Sequence, residues 1–228
     1  MATVKPFTAL VPDSTRASEI CELPYDVMST NEARQMAEGR PLSFLHVSRP
    51  EIDLPLGINI TDPLVYSKAR QNLDHLIAEG ALKRDKQANY YLYRQIMGSH
   101  TQLGLVAVAS CAEYDDNTIR KHEFTRPDKE NDRVSHLEAL DAQTGPVFLT
   151  YSADKELDNL FNRVTKGNPI VDFTATDGVQ HTSWTVTSSE DTTFIEEKFS
   201  GIQNLYIADG HHRSAAASRV NQSRSGSG

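Results

Sequence analysis

The sequence predicts a mixed α/β (α+β) fold in which helices and strands alternate and antiparallel strand pairs are prominent. Three observations carry this prediction. Two helical patterns precede residue 82, strand-like segments joined by short turns fill the middle, and a strand leads directly into a helix near residue 210. Of the 228 residues, 38% are hydrophobic, which is enough to build a core.

The first helix is predicted from a capping motif. Ser29 and Glu32 have the spacing of a capping box, and the helix should run to about Glu38, where a glycine ends it. Tyr25 and Asp26 are therefore expected in the loop just before this helix.

A second helix is predicted within residues 62–82 and should end at a glycine, residue 80. Five apolar residues recur there at the spacing of one helix face: Leu64, Ala69, Leu73, Leu76 and Ile77.

The middle of the chain changes to strand periodicity. The segments "ANYYLYRQIM" and "QLGLVAVASCAEY" predict an antiparallel pair, and "DDNTIRKHEFT" predicts a third strand. The segment "GPVFLTYS" predicts another strand, and "DKELDNLFNRVTKG" predicts a helix. The segment "PIVDFTATDGVQHTSWTVT" predicts a hairpin that turns at Asp177 and Gly178.

We expect one α/β domain over residues 1–220 and a disordered Ser/Gly tail over residues 221–228. A short helix placed just before this tail would be marginal without further support. The domain is therefore expected to be truncated at its C-terminus.

Charge and composition restrict the class of protein. The net charge of −8 argues against a nucleic-acid or anionic-membrane partner, and we expect neither. The first 20 residues do not have the pattern of a signal peptide, so the predicted location is the cytoplasm. Cys21 and Cys111 have no CxxC partner, which favours buried free thiols over a disulfide or zinc site.

The segment "YIADGHHRSAAAS", residues 206–218, is the strongest candidate for chemistry. A strand that turns into a helix leaves the first helical amides unpaired at the positive end of the helix dipole, which favours an anion. Gly210 would allow close approach, Arg213 offers a planar fork for phosphate, and His211 or His212 can donate further hydrogen bonds. A purely structural turn explains the same pattern equally well.

Asp209 has two alternative roles at this turn. It can cap the helix that follows, or it can face a Mg²⁺ ion that bridges the phosphates. No Walker motif, GxSxG or HExxH sequence occurs in the chain.

Several blocks resemble the family called domain of unknown function 1015, and the resemblance covers nearly all of residues 3–220. The blocks are "LPYDV", "PLSFLHVSRPEIDLP", "KHEFTRPDKENDR", "AQTGPVFLTY" and "YIADGHHR". The last block is also similar to the phosphate-binding signature of the ParB and sulfiredoxin fold, and most of all to archaeal free serine kinase. The resemblance implies a ParB/sulfiredoxin-like nucleotide-binding core with an inserted region of antiparallel strands.

The resemblance also implies site residues. Asp26 falls where the kinase has a glutamate that acts as general base, and His212 is assigned to catalysis as well as to the phosphates. The equal alternative for Asp26 is a loop aspartate that accepts amide hydrogen bonds ahead of the next helix. The phosphate site would comprise five consecutive residues: Asp209, Gly210, His211, His212 and Arg213. His211 stands where sulfiredoxin has its reactive cysteine, so that repair chemistry is not expected.

The charged block after residue 120 is a candidate substrate site on a strand end and loop. Its candidate residues, together with Tyr25, are His122, Glu123, Thr125, Arg126 and Arg133; Lys121 and Lys129 add cations. The alternative is an ordinary solvated face.

The predicted function is phosphoryl transfer between ADP or ATP and a small hydroxylated metabolite, with serine as the first candidate and Mg²⁺ as cofactor. Two alternatives remain: a nucleotide-binding regulatory protein without turnover, and a phosphohydrolase that uses the histidine pair. The sequence does not predict the reaction direction or the oligomeric state.

Overall fold

The computed structural model describes residues 1–224 and confirms a mixed α/β architecture. The helices are α1 (Ala17–Ile20), α2 (Thr30–Ala37), α3 (Leu45–Ser48), α4 (Pro63–Ala78), α5 (Cys111–Asp115), α6 (Pro127–Leu140), α7 (Lys155–Val164), α8 (Ser189–Ser200) and α9 (His211–Ser223), with a 3₁₀ helix at Pro50–Asp53. The strands are β1 (Val4–Lys5), β2 (Leu10–Pro12), β3 (Leu82–Arg84), β4 (Tyr90–Met97), β5 (His100–Val106), β6 (Val108–Ala109), β7 (Ile119–Arg120), β8 (Phe148–Thr150), β9 (Val171–Thr174), β10 (Gln180–Val186) and β11 (Leu205–Asp209).

The chain divides into two compact units. Unit 1 comprises residues 1–18, 82–120 and 150–206, and unit 2 comprises residues 19–81, 121–149 and 207–228. Compact units of this kind also occur inside single domains, so the predicted single domain over residues 1–220 stays a prediction.

Unit 1 is built on an antiparallel sheet with the strand order β5-β4-β10-β9. The predicted pair of strands on either side of residue 98 is confirmed as β4 and β5, and the predicted hairpin is confirmed as β9 and β10. β10 presents every second side chain to the core, which buries Thr182, Trp184 and Val186. The indole N–H of Trp184 donates to the carbonyl of Gly167, so the buried ring leaves no polar atom unpaired.

Two parts of the predicted strand region have a different structure. The segment "CAEY" is not the end of a strand but the helix α5, which follows Ser110. The predicted third strand is β7, only two residues long, and it pairs in parallel with β11 instead of extending the antiparallel sheet. β7, β11 and β8 form a sheet in that order.

Unit 2 consists mainly of helices. The predicted capping box is confirmed: the Ser29 hydroxyl accepts from the amide of Glu32, and the Glu32 carboxylate accepts from the amide of Ser29. One cluster of its core packs α2 against α3 and the 3₁₀ helix through Ala33, Leu45 and Ile52. Further along the chain, α4 packs on α6, and α6 packs on α9.

The second predicted helix is confirmed as α4, but its buried face is displaced from the predicted one. Ala69, Leu73 and Leu76 are buried as expected, whereas Leu64 is 60% exposed and Ile77 is 39% exposed. Val65, one residue after Leu64, is buried instead, on a helix that packs against α3, the 3₁₀ helix and α6.

The C-terminal end of unit 2 is more regular than the sequence predicts. α9 continues to Ser223, so residues 221–223 of the predicted tail are helical. Residues 225–228 of that tail lie outside the described residues. Within residues 1–224, no helix is both long enough and apolar enough to cross a bilayer.

A buried histidine in unit 2 predicts a pH effect on stability. His136 is 4% exposed and its Nε2 lies 3.0 Å from the carbonyl oxygen of Val47, to which it donates. Burial, followed by the nearby Arg133, lowers the pKa of His136 to about 4. The unfolded chain therefore takes up a proton on His136 at a higher pH than the folded protein does. As the pH falls from the ordinary histidine pKa of 6.5 to about 4, the free energy of unfolding falls.

We expect His136→Gln, which keeps an N–H donor for Val47, to lose less stability than the wild type between pH 7 and pH 4.5. Urea unfolding at a series of pH values measures both proteins. Parallel curves for the two proteins would contradict the assignment of a neutral buried His136.

Candidate functional site

The predicted strand, turn and helix near residue 210 is confirmed. β11 ends at Asp209, Gly210 has a φ of 97°, and α9 begins at His211. A φ in this range strongly favours glycine. The first amides of α9, at His211, His212 and Arg213, have no partner inside the helix, as at the start of any α-helix. Gly210 has no side chain that could cap them.

Arg213 folds back over the turn and packs on two glycines. A Cβ at Gly210 would lie 3.3 Å from the guanidinium carbon of Arg213 and 3.4 Å from the Cα of Val147. A Cβ at Gly145 would lie 3.1 Å from the Cδ of Arg213. A Cβ at either position would therefore press on the arginine, which would have to shift by a few tenths of an ångström. The side chain of Arg213 is only 12% exposed.

The guanidinium of Arg213 is held by groups of the same unit. It donates one hydrogen bond to the carbonyl of Pro146 and one to Oδ2 of Asp209. The capping role predicted as one alternative for Asp209 is wrong, because the residue at the cap position is Gly210. Asp209, the last residue of β11, forms an ion pair with Arg213, four residues later in the chain. The Asp209 side chain is 69% exposed.

His211 is buried with an unsatisfied nitrogen. It is 5% exposed, and its Nε2 has no hydrogen-bond partner among residues 1–224. Its Nδ1 lies 3.3 Å from Oε2 of Glu123, and its ring meets the His122 ring edge-on with centroids 4.4 Å apart. Burial, followed by the neighbouring His122, lowers the pKa of His211, while the charge of Glu123 acts against that shift.

His212 faces a different partner. Its Nε2 accepts a hydrogen bond from the backbone N–H of Arg126 at 3.1 Å. A nitrogen that accepts cannot carry a proton, so a neutral His212 is protonated on Nδ1. The two adjacent histidines therefore hold the 121–126 loop against the first turn of α9, one through a side-chain cluster and one through the backbone.

Tyr25 lies against the charged face of α6. The guanidinium carbon of Arg133 is 4.1 Å from the centre of the Tyr25 ring, and Arg133 also donates to Asp132 at 2.7 Å. Burial raises the pKa of Tyr25, while the positive charges of Arg133 and Arg213 act against that rise. The Tyr25 ring therefore lies against the Arg133 guanidinium, and the positive charge of Arg213 also acts on its hydroxyl.

Asp26 is exposed in the predicted loop and forms no hydrogen bond or ion pair with residues 209–213. The loop is held by Arg49, which sequence reasoning missed. Its guanidinium donates to the carbonyls of Tyr25 at 2.9 Å and Met28 at 3.1 Å and pairs with the buried Glu51 at 2.8 Å. The only sequence signal was the position of Arg49 inside the block "PLSFLHVSRPEIDLP".

The charged block differs from its prediction as a strand end and loop. Residues from Pro127 onward form α6, so Lys129 and Arg133 lie on a helix. Thr125 donates to Glu130, and Arg126 pairs with Asp128 at 2.7 Å, so these two side chains serve the start of α6. His122 and Glu123 reach the α9 turn through their side chains, and Arg126 reaches it through its backbone N–H.

No group of three or more His, Cys, Asp or Glu side chains among the described residues is arranged to hold a metal ion. Any divalent ion near Asp209 would therefore need ligands from a bound molecule. Phosphate oxygens supply such ligands in nucleotide sites, where Mg²⁺ commonly uses one or two carboxylates.

The packing of Arg213 predicts a graded effect of two glycine substitutions. Gly57→Ala is the control, because Gly57 has a φ of 83° but nothing within 4 Å of its Cβ position. It should cost about 1–2 kcal/mol for the left-handed conformation alone. Gly210→Ala should cost this amount and about 1–3 kcal/mol more for overpacking against Arg213 and Val147. Urea unfolding compares the two; an equal loss would contradict the packing account.

Comparison with known proteins identifies the family but no activity. The family model described as "Protein of unknown function (DUF1015)" matches residues 4–228. No curated protein and no solved structure is significantly similar to the chain. Because the match spans almost the whole sequence, the chain belongs to the DUF1015 family.

Proposed function

We propose that this protein is a nucleotide-dependent phosphotransferase that moves a phosphoryl group between ADP or ATP and a small hydroxylated metabolite, with serine as the first candidate. One observation carries the proposal: the unpaired amides of α9 follow a left-handed glycine and lie beside a buried histidine nitrogen without a partner. The resemblance of "YIADGHHR" to free serine kinase and to the ParB/sulfiredoxin-like fold supports the same reading.

The nucleotide phosphates would bind at the start of α9. The helix dipole and the amides of His211, His212 and Arg213 favour negative charge there. Arg213 has five N–H donors, of which two are bonded to Pro146 and Asp209, so three remain for phosphate oxygens. The Asp209 contact lowers the cost of holding the arginine in place before a ligand arrives.

Asp209 is the residue that would hold Mg²⁺, through the carboxylate oxygen not bonded to Arg213. Its side chain is exposed, which fits an ion shared with bound phosphates better than a closed protein site. When bound, Mg²⁺ would neutralise charge on the phosphate oxygens.

Asp26 is the proposed general base. Its carboxylate would accept the proton of the metabolite hydroxyl while the hydroxyl oxygen bonds to the terminal phosphorus. The bond from that phosphorus to the bridging oxygen then breaks, and the shortened nucleotide leaves with the electron pair. Arg49 holds the loop that carries Asp26, and Tyr25 and Arg133 would bind the polar end of the metabolite.

The histidine pair is less suited to a phosphohydrolase. Nε2 of His212 already accepts from the Arg126 amide, and Nε2 of His211 is buried.

A nucleotide-binding protein without turnover is the second candidate, because Asp26 forms no hydrogen bond in the described residues that would orient its carboxylate. The two candidates differ in what loss of Asp26 does.

Arg213→Ala should weaken binding of ADP or ATP with Mg²⁺ by about 10-fold or more, because it removes charged hydrogen bonds. Arg224→Ala is the matched control: Arg224 follows the last turn of the same helix and pairs with Asp141. Isothermal titration should give wild-type affinity for this control. Equal nucleotide affinity of all three proteins would show that Arg213 does not bind the phosphates.

Asp26→Asn should leave nucleotide affinity unchanged and lower the rate of phosphoryl transfer to serine by about 100-fold or more. Glu38→Gln is the control, since Glu38 is another exposed carboxylate in unit 2 and should have no effect. Transfer is followed with labelled nucleotide and chromatography of the products. Full activity of Asp26→Asn would exclude this residue as the base, and no transfer by the wild type would favour the binding protein.

A further inference from the structure

The loop between β7 and α6 places an exposed aromatic ring beside the start of α9. Phe124 is 99% exposed, the highest value among the large hydrophobic side chains of the described residues. Single exposed apolar residues are common and need no explanation by themselves. The neighbours of Phe124 in the loop, however, are held in place.

Residues on both sides of Phe124 contact the first two residues of α9. Before it, the His122 ring packs edge-on against His211, and Glu123 lies 3.3 Å from the same imidazole. After it, the amide of Arg126 donates to Nε2 of His212 at 3.1 Å. Residues 122–126 are therefore held at two points, while the side chain of Phe124 between them is exposed to solvent.

These contacts limit how far Phe124 lies from the proposed phosphate site. Its Cα is two residues from both His122 and Arg126, which places it within about 7.6 Å of each of their Cα atoms. A nucleotide whose phosphates bind at the α9 amides extends its ribose and base away from them, over a similar distance. An aromatic ring in this position is available to a flat aromatic group.

We propose that Phe124 is the stacking platform for the base of the nucleotide bound at the α9 turn. This inference rests on the proposed function, because it assumes that the phosphates bind at residues 210–213. Stacking uses the π-face that every base has and does not read the hydrogen-bonding edge of the base. The site therefore prefers nucleotides to inorganic polyphosphates and discriminates weakly among bases.

The test compares ADP and CDP with inorganic pyrophosphate, which has the same two phosphates but no base. Each is titrated with Mg²⁺ into the wild type, Phe124→Ala, Phe124→Trp and Leu56→Ala. Leu56 is a second exposed apolar residue of unit 2, 81% exposed, outside the proposed site, and serves as control. Circular dichroism and urea unfolding confirm that each variant is folded.

Phe124→Ala should bind ADP and CDP about 5- to 150-fold more weakly, which corresponds to the usual value of a base–aromatic stack. Its affinity for pyrophosphate should equal that of the wild type, Phe124→Trp should retain nucleotide affinity, and Leu56→Ala should change nothing.

Unchanged nucleotide affinity of Phe124→Ala would overturn the inference and leave the proposed function intact. Equal weakening of nucleotide and pyrophosphate would also overturn it, because it would show a loop effect. If the wild type binds neither nucleotide nor pyrophosphate, the proposed function itself fails.

Discussion

The side chain of Arg213 folds back over the first turn of its own helix, and the candidate site depends on that position. Gly210 and Gly145 lie where any Cβ would contact the arginine, and Asp209 and Pro146 fix its guanidinium. The same left-handed glycine ends β11 and leaves the first amides of α9 uncapped. One local arrangement thus combines the Arg213 guanidinium, which is paired with Asp209, with a helix start that no side chain caps.

Two polar networks in unit 2 hold the remaining site loops. Arg49 and the buried Glu51 fix the backbone at Tyr25 and Met28, so the segment with Asp26 has a defined position despite its exposure. His211 and His212 fix the 121–126 loop to the same helix turn. Arg49 and His212 are partly buried and bond to backbone atoms, and side chains held in this way position a loop at low entropic cost because few rotamers satisfy their hydrogen bonds.

Local patterns in the sequence predicted the parts of the fold that local chemistry determines. The capping box at Ser29, the hairpin at Gly178 and the strand-turn-helix around Gly210 were all correct. The buried face of α4, the helix α6 within the charged block and the parallel pairing of β7 were not, because each depends on partners distant in sequence. The partners of Arg213 and the role of Arg49 could not be predicted for the same reason.

Phosphate binding at the start of α9 is tested most directly by the amide NMR spectrum of the isotope-labelled chain during titration with ADP and Mg²⁺. Phosphates at the start of α9 must perturb the N–H groups that point to them. We expect saturable chemical-shift changes concentrated at residues 210–214, with smaller changes in the 121–126 loop that contacts them. Saturable shifts confined to other parts of the chain, or no shifts at millimolar nucleotide with a folded protein, would contradict it.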